Sequence, residues 1–166
     1  MTNRKFLGVT TGCLLSALSS QLLAEELIYV VEELKGPVSI VEAGQTKARK
    51  AELEDVLDAG DEIRTGAAAE ATLTLNTNTS VHLGPSTKLK VAQLTGNTTG
   101  GFFSKLKLLA GKVVNQVQKL AATKSTFTIE AGSVSAGVRG TLFEVGLSGE
   151  DDVETTTEEG EVDLSS

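Results

Sequence analysis

After Ala24 the sequence contains no cysteine; the single one in the chain is Cys13. The remaining chain can form no disulfide and no thiolate metal centre. Tryptophan is absent, and tyrosine and histidine occur once each, as Tyr29 and His82. A zinc site built from three or four nitrogen or sulfur ligands lacks its ingredients. So does the aromatic platform on which a glycosidase seats a sugar. Proline occurs only at Pro37 and Pro85. Acidic residues are missing from 71–129, which carries 7 lysines. No Ser/His/Asp spacing, nucleophile elbow, phosphate loop or dinucleotide fingerprint is present. These gaps point away from catalysis and imply no cofactor.

The N-terminus has the order of a secretory signal peptide. Arg4 and Lys5 precede an apolar run from Phe6, then a polar break at Ser19-Ser20-Gln21, then Leu22-Leu23-Ala24. Cleavage is expected after Ala24, giving a leader over 1–24 and one domain over 25–166, with its core at about 34–147. The expected location is periplasmic or secreted, since export without disulfides suits a bacterial envelope. Retention as a membrane anchor is the rival, although the threonines and serines of the run make a poor spanning helix. A lipoprotein cysteine at Cys13 is a further alternative, with Thr10 in place of the usual upstream leucine.

What is present is alternation. Leu73 and Leu75 alternate with Thr72 and Thr74, Leu89 and Val91 with Lys88 and Lys90, and Phe127 and Ile129 with Thr126 and Thr128. Phe143, Val145 and Leu147 share one face of a late strand. Many short strands separated by turn residues predict an all-β fold, a single β-sandwich or β-roll. Residues 51–63 read either as a helical turn or as a turn between two strands. Residues 112–124 read as a strand in preference to an amphipathic helix, because valine follows a glycine turn. Glycine precedes valine by two positions at Gly36, Gly111, Gly132 and Gly160, which reads as glycine turns feeding hairpins.

Charge falls in blocks. Residues 25–70 hold 12 acids against 5 bases, and 130–166 hold 10 acids against Arg139 alone. The lysines between them, Lys88, Lys90, Lys105, Lys107 and Lys112 among others, form a candidate surface for an anion or a partner; a fold that faces them with the acidic ends is the plainer reading. With a pI of 4.8, nucleic acid is not expected as a partner. Alternation points His82 away from the face of Val81 and Leu83, so it reads as exposed and non-functional. The carboxylates of 52–62 and 150–154 lack the spacing of a calcium loop and read as solvated. A small hydrolase using Glu54 and Asp152 is the remaining catalytic alternative.

Several short stretches resemble the periplasmic domain of FecR-type (ferric-citrate) regulators: Gly36-Pro37-Val38-Ser39-Ile40, Gly60-Asp61-Glu62-Ile63-Arg64-Thr65-Gly66 and Ala71-Thr72-Leu73-Thr74-Leu75. Val81-His82-Leu83, Ser86-Thr87-Lys88-Leu89, Leu109-Ala110-Gly111-Lys112-Val113 and Phe127-Thr128-Ile129-Glu130 continue the pattern. Ala136-Gly137-Val138-Arg139-Gly140-Thr141 leading into Leu142-Phe143-Glu144-Val145 completes it. The resemblance implies a compact β domain that signals between an outer-membrane transporter and a sigma factor. It singles out Gly60, Asp61, Thr65, Gly66, Gly137, Arg139, Gly140 and Thr141 as the structural motif. Arg139 reads first as a residue that pins a turn and second as an anion receptor. The functional expectation is an exported, non-catalytic module that recognises a protein or a cell-envelope component. The alternative is a membrane-retained regulator in a transporter and sigma-factor pathway, with membrane contact only if the leader stays uncleaved.

Overall fold

The computed structural model describes residues 27–75, 79–96, 101–117, 125–138, 142–148, 152–159 and 162–165. Among them the chain forms 14 strands and no helix. In order these are β1 (Tyr29–Lys35), β2 (Val38–Val41), β3 (Arg49–Lys50), β4 (Val56–Leu57), β5 (Glu62–Thr65), β6 (Glu70–Leu75) and β7 (Thr79–Leu83). They continue with β8 (Lys88–Gly96), β9 (Phe102–Val117), β10 (Thr126–Ala131), β11 (Val134–Val138), β12 (Leu142–Ser148), β13 (Asp152–Glu159) and β14 (Val162–Ser165). No helix among the described residues is long and apolar enough to cross a membrane.

The strands make two layers that share β9. The first runs β4-β1-β6-β7-β9-β12-β13. The second runs β3-β2-β5-β8-β9-β10-β11-β14. All pairs are antiparallel except β9 with β10. The chain passes repeatedly from one layer to the other, as in a roll. The 16 residues of β9 do this within one strand: Phe102–Ala110 pair in the second layer and Gly111–Val117 in the first.

Alternation selects what lies between the layers. Ile40, Ile63, Leu89 and Leu108 pair in register across the second layer, and all are buried. Val31, Leu73 and Val81 do the same across the first. Burying each such side chain contributes about 1.5–3 kcal/mol. Phe127 and Phe143 meet edge to face across the layers with centroids 6.3 Å apart. The Tyr29 hydroxyl bridges them as well, 2.7 Å from Ser104 Oγ. Burial begins at Tyr29, ahead of residue 34. One row breaks the apolar pattern: Asn115, in register with Val81 and Phe143, is fully buried, and neither of its side-chain polar atoms has a hydrogen-bond partner among the described residues.

The two ambiguous segments resolve as follows. Residues 51–63 contain no helix but a turn, the short β4 and a second turn into β5. Residues 112–117 are strand, while 118–124 lie outside the described residues. The expectation that glycine-x-valine marks hairpins holds at Gly132, between β10 and β11. It fails at Gly36 and Gly111, where the chain changes layers instead; Gly160 lies outside the described residues. The reason is local: Gly36 has φ of +73° and Gly111 of +86°, and the valine two positions on faces the core from the opposite layer, at Val38 in a new strand and at Val113 within β9.

Gly111 is the tightest of these points. A Cβ there would sit 2.6 Å from Thr87 Cα and 2.8 Å from Ser86 O, closer than real side chains approach, on top of the left-handed backbone. Gly111→Ala is therefore expected to destabilise the domain by about 2–4 kcal/mol, a drop in thermal midpoint on the order of 10 °C by circular dichroism. Gly137→Ala, with nothing within 4 Å of the new methyl, is expected to leave the midpoint unchanged or slightly higher.

Tyr29 gives a second check. Burial pushes its phenol well above the ordinary range, the Ser104 hydrogen bond opposing this only in part. Its folded value exceeds its unfolded value, near 10, so its contribution to stability is complete below that pH and falls as pH rises above it. As Tyr29 is the chain's only tyrosine, phenolate absorbance is expected to rise together with loss of the strand circular-dichroism signal, well above pH 10, rather than as a separate titration.

Candidate functional site

The stretch Gly60–Gly66 is β5 with an anchor at each end. Asp61, 8% exposed, accepts the Ala43 amide at 2.7 Å and the Asp58 amide at 3.0 Å. It ties the β4–β5 crossing to the turn after β2. Gly60, at φ of +102°, leaves room for Ala43, whose Cβ lies 2.8 Å from where a Gly60 Cβ would fall. Its amide donates to Val91 O at 2.7 Å, while Val91 N donates to Asp61 O at 2.9 Å.

Thr65 closes the other end. Its hydroxyl donates to Gly84 O at 2.7 Å and accepts the Thr87 amide at 2.9 Å. The Thr87 hydroxyl in turn donates to Lys112 O and accepts from Lys112 N, both at 3.0 Å. The Gly66 amide reaches Pro37 O at 2.9 Å, and Ser86 N reaches Gly66 O at 3.0 Å. Four changes of layer, at 36–37, 66–69, 84–87 and 111–112, are thus stitched together around two buried threonines. This is a structural clamp rather than a reactive site, since every polar atom of the pair is spent on backbone.

Of the remaining motif residues, Gly137 is half-buried in β11, between Thr128 and Asp163. Arg139, Gly140 and Thr141 lie outside the described residues.

The lysines divide between the two outer faces. Lys88, Lys90, Lys105 and Lys107 share the outside of the second layer, and Arg64 stands beside Lys88. Lys90 and Lys107 are directly opposite each other, an arrangement that destabilises a sheet unless something neutralises it. The nearby acids are engaged: Glu62 with Arg64 at 2.5 Å and Glu130 with Lys105 at 2.5 Å. Lys88, Lys90 and Lys107 have no ion-pair partner among the described residues. Lys112 does not join them. It projects from the first layer and pairs with Glu144 at 2.7 Å, a hydrogen bond that raises its pKa above the ordinary lysine value.

His82 is half-buried rather than freely exposed. Register across β1, β6 and β7 aligns Glu33, Thr72 and His82 on the outside of the first layer. The Thr72 hydroxyl donates to Glu33 Oε2 at 3.1 Å and lies 3.2 Å from His82 Nδ1. Alternation gave the side of the sheet, but the partners required the strand order. Asp55, one of the carboxylates read as solvated, instead holds a turn: it accepts Arg49 Nη1 and the Glu52 amide, each at 2.7 Å. The hydrolase pair is not assembled along the first layer. Glu54 adjoins β4 at one edge and Asp152 begins β13 at the other, with β1, β6, β7, β9 and β12 between at about 4.8 Å per strand. No cluster of His, Asp and Glu suited to a metal ion occurs among the described residues.

Residues 61–163 match the family model described as FecR protein. The chain belongs to the FecR family, which is regulatory and acts in signalling at the cell envelope. The match opens on Asp61, the first anchor of the clamped strand. No curated protein and no solved structure was found to match the chain.

The anchor is open to test. Asp61→Ala removes a charged acceptor from two backbone amides, and is expected to lower stability by about 2–3 kcal/mol in urea unfolding with an unchanged denaturant slope.

Proposed function

We infer that this chain is an exported, non-catalytic FecR-family module that recognises an anionic partner, an acidic protein segment or an acidic envelope polymer, on the outer face of its second layer. The observation that carries this is the Lys90–Lys107 cross-strand pair, neither of which forms an ion pair among the described residues, extended by Lys88 and flanked by the Lys105–Glu130 and Arg64–Glu62 pairs. Glu62 and Glu130 stand directly across from Lys90 and Lys107 at the two ends of this row, each bonded to another cation, so a ligand that brings further negative charge to the row still gains. Such recognition is expected to be strongly salt-dependent, because the lysines are exposed.

Family membership favours one second reading, a membrane-retained regulator in a transporter and sigma-factor pathway. N-terminal sequencing of the protein from envelope fractions separates the two: a start at Glu25 supports export, and an intact Met1 supports retention.

The surface itself is tested with poly-glutamate and an anionic polysaccharide as probes. The triple replacement Lys88→Gln, Lys90→Gln and Lys107→Gln is expected to weaken binding of the probe by about tenfold or more at low salt, on the order of 1.4 kcal/mol. Lys112→Gln, on the opposite layer, is expected to leave it unchanged. Equal losses from both would remove the assignment.

A further inference from the structure

The first layer carries a different surface, away from the lysines. A groove of about 480 Å³ crosses its outside from the loop before β4 over β1 and β6 to β7, with Glu32, Glu33, Leu53, Glu70, Thr72 and His82 in its lining. It lies beside an open sheet edge. Strand β4 covers β1 only at Tyr29 and Val30, and the adjoining loop adds bonds at Val31, whose amide reaches Asp55 O while its carbonyl accepts Glu54 N, each at 2.9 Å. Among the described residues, no strand pairs with that edge of β1 beyond this point. A β-bulge between Val31 and Glu33 turns the strand just there, and bulges of this kind re-aim side chains at the ends of pairing. Leu53, 60% exposed, stands at the lip as the most exposed large apolar side chain among the described residues.

The polar lining has a definite polarity. Lys35 is taken by Glu70 at 3.1 Å, which leaves the exposed Glu32 and Glu33 as the uncompensated charges. Thr72 has one hydroxyl proton, and it goes to Glu33. The 3.2 Å contact with His82 Nδ1 therefore requires that nitrogen to be the donor. The groove offers carboxylates and an imidazole next to an apolar contact and a strand edge with no partner strand among the described residues.

We propose that this edge and groove bind an extended, basic segment of a partner protein by strand addition to β1. The segment's lysine or arginine side chains lie over Glu32, Glu33 and His82, and an apolar residue rests on Leu53. Main-chain pairing supplies the affinity and the alternating side chains the selectivity. This site is independent of the lysine face, so either can fail without the other.

The test uses the full mature chain and a fluorescein-labelled nonapeptide of alternating lysine and valine, read by fluorescence anisotropy. Two further peptides replace lysine with glutamate or carry N-methyl groups on alternate amides. The lysine peptide is expected to bind about tenfold or more tightly than either. Glu32→Gln with Glu33→Gln, both on exposed side chains, is expected to weaken it about fivefold or more with unchanged circular dichroism, whereas Lys90→Gln does not weaken it. Equal binding of the lysine and glutamate peptides, or of the N-methylated one, would overturn the proposal. Sedimentation velocity provides the remaining check: a monomer is expected, and a dimer that Leu53→Ser dissociates would show that a second copy covers this edge and would overturn the basic-segment assignment.

Discussion

The space beside Thr87 admits a backbone turn and nothing more. Gly111 fills it at φ of +86°, and the Thr87 hydroxyl binds both backbone groups of Lys112. That contact lets β9 leave the second layer and continue in the first without breaking. Everything on either side follows from it. Strands β8 and β10 flank the first half of β9, and β7 and β12 flank the second. One strand therefore sets the register of both layers. Thr65 extends the clamp to Gly84 and Thr87, so that four changes of layer share one set of buried hydrogen bonds. Buried polar atoms satisfied by backbone specify a single arrangement, because any slip leaves several of them unpaired.

A frame fixed from within leaves its outer faces free to vary. The inner positions are mostly leucine, valine, isoleucine, alanine and phenylalanine. The outer ones carry the chemistry, and the two faces differ. The second layer presents lysines in register, while the first presents Glu32, Glu33 and the Glu33–Thr72–His82 row beside an open edge. The two outer faces therefore carry opposite charge preferences.

Much of the inner architecture was legible in the sequence. Alternation at 71–75, 88–91 and 126–130 gave both the strands and the buried side of each. Gly60-Asp61 read as a turn between strands, as glycine and aspartate tolerate, while the rest of the stretch to Gly66 stood out only through the family resemblance and its hydrogen-bond partners were not readable from it. What escaped was everything set by strand order rather than by strand pattern. Gly36 and Gly111 looked like hairpin glycines, since local sequence carries a change of direction but not the layer into which the chain turns. Lys112 grouped with the other lysines by proximity in sequence, yet it lies beyond the Gly111 turn and so belongs to the other face. Asp55 and Asp61 stood in an acidic run whose members differ only in which amides come near them. His82 was assigned its side of the sheet, but its contact with Thr72 depends on β6 and β7 being neighbours. The Asn115 carboxamide, buried among apolar neighbours, had no sequence signal at all beyond lying two residues from Val113.

The central claim is that the Thr65–Thr87–Gly111 clamp makes the two layers one cooperative unit. Native-state hydrogen exchange of the Thr87 and Lys112 amides, followed by NMR in low denaturant, tests this most directly. The account predicts that both exchange only through global unfolding, with the same free energy and denaturant dependence as the amides of Leu89 and Val113. Exchange of either through a local opening, at a free energy well below that of the core strands, would contradict it.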